Sequence, residues 1–230
     1  MTPYFDDGQI TIYHADCRDI LSTLDPASVA LLIADPPYGV AERTDRKSKG
    51  RGTEQRGTGI QWGSRDWSPI AGDDTPFDPA PLLQFPRLVL FGANHYADKL
   101  PASGSWLVWD KREDATPDDN ADAELIWTNL GGPVRTYRQC WRGFTRARDS
   151  LEPTKHVHPT QKPVNLMMWL LERYTKAGDL VVDPYMGSGP VAHACLLLGR
   201  QYIGVELVES YCVKAVQRLA QSVLPFEEAS

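Results

Sequence analysis

Short apolar runs alternate along this chain with stretches of helical periodicity, the pattern of an α/β protein. Ile10 to Ala15 predicts a strand ending near Asp16. Val29 to Ala34 is continuously apolar, as strands buried on both faces are, and it runs straight into Asp35-Pro36-Pro37-Tyr38. Arg87 to Gly92 and Trp106 to Trp109 predict two further strands, with a helix around Ala80 to Phe85 before the first. Leu125 to Thr128 and Gln139 to Phe144 are shorter candidates. Pro163 suits the first position of a helix reaching Tyr174. Leu180 to Val182 then forms a strand ending in Asp183, and a glycine-containing loop occupies Tyr185 to Gly189. A helix from Pro190 closes at Gly199. The strand Tyr202 to Val205 ends at Glu206, and Ser210 to Ser222 is a closing helix.

Ala41 to Gly72 breaks this rhythm, with almost no apolar periodicity, and Gly50, Gly52, Gly57, Gly59 and Gly63 punctuate it. A loop of such length in a compact domain is functional or disordered. No internal repeat and no second core is visible. The chain reads as one domain over residues 1–230, with insertions at 41–72 and about 112–157.

Composition narrows the class. Hydrophobic residues make up 42% and charged residues 23%, as in soluble globular proteins. No apolar run approaches the ~20 residues of a membrane span. The segment Met1 to Asp7 lacks the basic and apolar regions of a signal peptide. Cys17, Cys140, Cys195 and Cys212 are scattered and read as reduced thiols. A cytoplasmic protein without membrane attachment is expected. The His156-x-His158 pair lacks a third ligand nearby, so no metal is expected.

The formal net charge of −6 gives no bulk attraction to nucleic acid, but its distribution does. Seven basic residues (Arg43, Arg46, Lys47, Lys49, Arg51, Arg56, Arg65) face four acids between Ala41 and Asp66. Six basic residues face two acids between Arg135 and Lys155. These segments fit a phosphate-binding face, or equally two solvated loops. On the first reading the 41–72 segment is mobile alone and orders on DNA. Trp62 and Trp67 in that segment are candidates for stacking on bases.

Two sites stand out for chemistry. In Asp183-Pro184-Tyr185-Met186-Gly187-Ser188-Gly189 a strand ends in an acid, a glycine turn follows, and a helix begins at once. Glycines let backbone approach a ligand, and a helix N-terminus offers free N–H groups to an anion. Twenty-three residues after Asp183, Glu206 ends the next strand, where a carboxylate can accept both hydroxyls of a ribose. An adenosine-containing cofactor fits; so does a plain strand-turn-helix that needs glycine for tight packing. A nicotinamide dinucleotide enzyme is the natural competitor, but the Asp-Pro ahead of the glycines and the C-terminal position are atypical of it. In Asp35-Pro36-Pro37-Tyr38, consecutive prolines fix the backbone and donate no hydrogen bond. A carboxylate, rigid carbonyls and an aromatic face suit a planar substrate bearing an NH₂ group. A proline-rich turn is the plain alternative.

The chain resembles the S-adenosylmethionine-dependent DNA amino-methyltransferases whose catalytic motif precedes their cofactor motif, the β group. Asp35-Pro36-Pro37-Tyr38 is similar to the family's catalytic motif. Asp183 to Gly189 is similar to its cofactor loop, usually Asp-Pro-Phe-x-Gly-Ser-Gly. His158-Pro159-Thr160-Gln161-Lys162-Pro163 is similar to the segment that helps hold the methionine moiety. Pro190 stands where a threonine is common, and the chain is small for a separate target-recognition domain.

The resemblance implies a Rossmann-like methyltransferase fold, a mostly parallel, doubly wound and circularly reordered sheet. The Asp183 strand is then central, with the Glu206 strand and the Asp16 strand on one side and the Asp35 strand on the other. It implies a catalytic set of Asp35, Pro36, Pro37 and Tyr38. The implied cofactor set is Asp16, Asp35, Thr160, Gln161, Lys162, Asp183, Pro184, Tyr185, Gly187, Ser188, Gly189 and Glu206. Asp16 would meet the cofactor adenine, Lys162 the methionine carboxylate, and Tyr38 would stack on the target base. The expected reaction is site-specific methylation of N6 of adenine in DNA, because aspartate opens the motif more often in adenine enzymes. N4 of cytosine is the alternative, followed by an inactive binding module or a nicotinamide-dependent oxidoreductase. DNA is the expected partner, in a restriction-modification or phage-type setting, with a homodimer and a cognate restriction enzyme left open.

Overall fold

The computed structural model describes residues 1–39, 72–113, 121–142, 145, 146 and 161–223. The 41–72 segment other than Gly72, the His156-x-His158 pair and Thr160 therefore lie outside the described residues.

The chain opens with β1 (Phe5–Asp6), β2 (Ile10–His14) and a short α1 (Cys17–Leu21). The strands β3 (Leu31–Ala34), β4 (Leu88–Phe91), β5 (Trp106–Asp110), β6 (Ala123–Thr128) and β7 (Arg135–Arg138) follow. A separate two-stranded ribbon pairs β8 (Trp141–Arg142) with β9 (Thr145–Arg146). The C-terminal part contains α2 (Val164–Tyr174), β10 (Leu180–Asp183), α3 (Pro190–Leu198), β11 (Gln201–Glu206) and α4 (Glu209–Val223).

Nine strands form one sheet in the order β1-β2-β11-β10-β3-β4-β6-β5-β7. The run from β2 to β4 is parallel throughout, and β6 is antiparallel to both its neighbours. The reordered topology expected of the family is present. β10 lies between β11 and β3, and β2 lies beyond β11. The parallel register brings the carboxyl ends of β2, β11, β10 and β3 to one edge, which is where doubly wound sheets place ligands.

β3 shows why its sequence is continuously apolar. Leu31 and Ile33 join a core cluster with residues of α2, α3 and α4, including Leu170, Val191, Ala194 and Leu219. Leu32 and Ala34 face the other way, into a cluster with Leu82, Phe85, Leu90 and Trp127. With both faces covered, period-2 alternation disappears. In α3, Pro190 occupies the first turn and Gly199 caps the end in the left-handed region, as the sequence predicts.

Several elements differ from the sequence reading. Residues 80–85 form turns rather than a helix. Pro79, Pro81 and Pro86 interrupt the donor series, leaving bonds such as Leu82 N to Pro79 O and Phe85 N to Leu82 O. Pro163 is the extended N-cap of α2, one position ahead of the first helical residue. The candidate strand Gln139 to Phe144 resolves into β7 before it and the two-residue β8 within it. β7, Arg-Thr-Tyr-Arg, is a polar edge strand with little buried surface, so no apolar pattern marks it. Part of the presumed 112–157 insertion is integral to the sheet, since β6 and β7 both belong to it.

Candidate active site

A cleft of about 1160 Å³ opens at the carboxyl edge of the parallel strands. It is lined by Asp16, Asp35 to Tyr38, Gln161, Lys162, Asp183 to Ser188 and Glu206. The two motifs, remote in sequence, thus meet across β10 and β3. A second cavity of about 490 Å³, around Pro101 to Ser105 at the amino end of β4, holds none of the motif residues.

The cofactor half begins where β10 stops. Gly187 and Gly189 adopt left-handed φ of 54° and 76°. At Gly189 a Cβ would lie 2.9 Å from the Ala215 methyl of α4, so this glycine also serves tight packing, as the plain reading of the motif had it. Glu206 is tied to the loop. Its Oε2 accepts from Gly187 N at 2.9 Å and its Oε1 from Val208 N at 2.7 Å. Each oxygen keeps further acceptor capacity toward the cleft. Burial raises the Glu206 carboxyl above its ordinary range despite these backbone donors.

Asp183 is deeply buried. It accepts from Tyr185 N at 3.1 Å and from the Tyr202 hydroxyl at 3.2 Å. Burial pushes its carboxyl up to about 7. Ser188 Oγ is buried without a hydrogen-bond partner among the described residues, which is costly unless a ligand satisfies it. This orphaned hydroxyl, the Glu206 carboxylate and the turn N–H groups fit an adenosine cofactor with a charged amino-acid tail. Tyr185, where the family usually has phenylalanine, keeps an edge-on contact to Phe77.

Asp16 stands at the start of α1. Its carboxylate caps α1 through Arg18 N at 2.9 Å and pairs with the Arg18 guanidinium at 2.5 Å. The Arg18 side chain beside it holds the carboxyl below its ordinary range. Asp16 lines the cleft, yet its oxygens are engaged by its own helix.

The chemical half is a charge network. Lys162 Nζ donates to Asp35 Oδ2 at 2.5 Å and lies 3.1 Å from Glu124 Oε1. The Tyr38 hydroxyl donates to Asp35 Oδ1 at 2.6 Å, with Glu124 Oε1 3.2 Å away. Lys111 Nζ reaches Glu124 Oε2 at 3.5 Å. Burial raises the Asp35 carboxyl, the Lys162 ammonium opposes that rise, and the Glu124 charge adds to it. For Glu124, burial acts upward but the Lys162 and Lys111 ammonium groups outweigh it, so its carboxyl is lowered. The two carboxylates raise the ammonium of Lys162 against the desolvation that would lower it.

Lys162 and Tyr38 both make contacts within the protein. Lys162 is not held free for a cofactor carboxylate; it is committed to Asp35 and Glu124, with Phe91 under its ammonium at 5.3 Å. Tyr38 does not present an open face. His95 stacks on it at 5.0 Å and 13°, and Gly92 packs so closely that a Cβ there would overlap the ring. Gln161 is buried, and its carbonyl accepts from the Trp141 indole at 2.8 Å, which ties the strap before α2 to β8.

Sequence reasoning missed Glu124 and Lys111, and it marked Asn94-His95-Tyr96 as able to line the pocket without giving it a role. The signal for Glu124 was a lone acid inside the apolar strand β6, opposite Trp109 in register. Among the described residues no His/Cys/Asp/Glu cluster is built for a metal, and the cysteines are unbridged. No described helix is long and apolar enough to cross a membrane.

The chain is similar to known DNA methyltransferases. Type II methyltransferase M2.MboI of Moraxella bovis is 26% identical, with 89% of this chain and 86% of that protein aligned. Type II methyltransferase M2.LlaDCHI of Lactococcus lactis subsp. cremoris is 23% identical over 94% of the chain and 91% of that protein. Among solved structures, the M1.HpyAVI–SAM complex superimposes with a TM-score of 0.52 at 24% identity, covering 91% of this chain and all of that one. The cytosine-N4-specific PvuII DNA methyltransferase gives 0.56 at 14% identity, over 94% of this chain and 88% of that one. The N6/N4 DNA methylase family model matches residues 101–217, which span Glu124, Lys162, the Asp183 loop and Glu206. The chain belongs to the N6/N4 family of DNA methylases.

Proposed function

We propose that this protein transfers the methyl group of S-adenosylmethionine to the N6 amine of adenine in DNA. The observation that carries the reading is the pairing of two carboxylates in one cleft: Glu206 beside the glycine turn and Asp35 across β10 and β3. The cofactor supplies an electrophilic methyl on a sulfonium. Ser188, Glu206 and the Gly187 turn hold its adenosine and amino-acid parts, and Asp183 offers a nearby negative charge.

Asp35 holds the target amine. An exocyclic amine is a poor nucleophile because its lone pair is delocalised into the ring. Hydrogen bonds from the amine to Asp35 and to the Pro36 carbonyl favour a pyramidal nitrogen aligned for attack. Orientation and fixed dipoles then supply most of the acceleration. The base leaves the duplex to reach the cleft. Tyr38 holds Asp35 through its hydroxyl, and its ring meets the base only if His95 or Tyr38 turns. DNA is the partner, in a restriction-modification or phage-type setting.

The aspartate that opens the catalytic motif supports adenine. N4 of cytosine is the second reading, because the same acceptors fit an amine on either ring. Methylating DNA with the purified protein, digesting it and resolving the nucleosides by mass spectrometry separates the two. N6-methyladenine is the expected product. N4-methylcytosine overturns the base assignment, and no methylated base with bound cofactor overturns the reaction. Asp35→Ala is expected to abolish transfer while cofactor binding survives.

A further inference from the structure

Two carboxylates share one ammonium and one phenol in this site. Lys162 Nζ stands between Asp35 Oδ2 and Glu124 Oε1, and the Tyr38 hydroxyl stands between Asp35 Oδ1 and Glu124 Oε1. The Glu124 and Lys162 side chains are 13% and 7% exposed, so solvent screens them little, whereas Asp35 is 25% exposed toward the cleft. We propose that Glu124 is a positioning residue that divides Lys162 and Tyr38 with Asp35, keeping Asp35 basic enough to take the proton the amine loses on methylation. The inference rests on the assignment of Asp35 to the target amine.

The proton balance is simple. Attack forms an N–C bond as the methyl–sulfur bond of the sulfonium breaks, its electron pair staying on sulfur as a neutral thioether, and the nitrogen is left cationic with one proton too many. That N–H bond breaks, an O–H bond forms on Asp35, and the proton later leaves to water through the exposed side of the carboxyl. A carboxylate held by a lysine and a tyrosine to itself is a weak base. A second negative charge on the same two donors restores its affinity for a proton. The rise that burial gives Asp35 is increased by the Glu124 charge, in agreement with the geometry.

The groups facing Asp35 come from every neighbouring element. They are Lys162 ahead of α2, Tyr38 on its own loop, Glu124 on β6 with Lys111 behind it, Tyr96 beyond β4, and Asp183 at the end of β10. His95 adds a ring stacked on Tyr38.

Single-turnover methyl transfer measured against pH tests this on the full chain with DNA and S-adenosylmethionine. In the wild type the rate falls in acid as Asp35 becomes protonated. Glu124→Gln removes the competing charge, so the acidic limb is expected to move down by about one pH unit. The plateau is expected to drop about tenfold, because a weaker base removes the proton more slowly. Glu124→Asp keeps the charge and the limb. Lys111→Met acts oppositely: Glu124 then draws harder on Lys162, and the limb moves up. This second variant also serves if Glu124→Gln does not fold. A lower plateau with the limb unmoved in both variants overturns the proposal and leaves Glu124 a packing residue. Full turnover in Asp35→Ala instead overturns the reading of the site itself.

Discussion

Lys162 Nζ and Asp35 Oδ2 stand 2.5 Å apart although 127 residues separate them along the chain. The contact closes the site by joining the strap before α2 to the end of β3. It is also a liability for the fold. Removing one partner of a buried pair leaves an uncompensated charge, at a cost of about 3–5 kcal/mol. Lys162→Met is expected to lower the unfolding free energy by that amount in urea titrations at pH 8. The sign of its pH dependence follows. Without the ammonium, the folded-state carboxyl of Asp35 rises further and that of Glu124 loses the charge that holds it down, so the variant is penalised most where they must ionise. The gap from wild type should therefore narrow as pH falls toward 5. A gap independent of pH would show that lost packing of the lysine stem, not charge, is responsible.

Glu206 is expected to hold the cofactor ribose. Glu206→Ala should weaken S-adenosylmethionine binding by about 1.5–3 kcal/mol, the scale of hydrogen bonds to a charged group. The variant also frees Gly187 N, so Glu206→Gln, which keeps an acceptor for that donor, should lose less. Calorimetric titration of both variants checks the order. An unchanged dissociation constant in Glu206→Ala would put the ribose elsewhere.

Gly92 is required by both backbone and space. Its φ is 59°, and a Cβ would overlap the Tyr38 ring. Gly92→Ala is expected to displace Tyr38 from His95 and Asp35, with a stability cost above about 1 kcal/mol. Because it is Tyr38 that moves, methyl transfer should fall while cofactor affinity stays near wild type. Parallel loss of both would mean that the whole cleft edge has shifted.

Asp183 gives a proton signal on cofactor binding. Burial holds its carboxyl at about 7, so near neutral pH the free protein is a mixture of protonated and ionised forms. A bound sulfonium favours the ionised form, so binding should release up to one proton and tighten as pH rises through that range. Calorimetry in buffers of different ionisation enthalpy measures the release directly. Asp183→Asn should abolish it. Proton release persisting in that variant would move the titration to another group.

The sequence by itself determined the strand ends and their chemistry. Apolar runs that stop at Asp35, Asp183 and Glu206 are local facts, as are the glycine turn and the proline that opens α3. The reordered sheet was implied by the resemblance to the β group, not by any local pattern. Tertiary structure decided which charges meet. Glu124 sits in a strand whose partner is chosen by sheet pairing, and nothing near it in sequence announces Lys162 or Tyr38. The same limit hid β7, whose polar edge position requires no apolar signature. It also explains Asp16 and Lys162. Each lines the cleft, but how a carboxylate or an ammonium is spent depends on the nearest opposite charge. That neighbour was Arg18, two residues away, in one case, and Asp35 and Glu124, brought in by the fold, in the other.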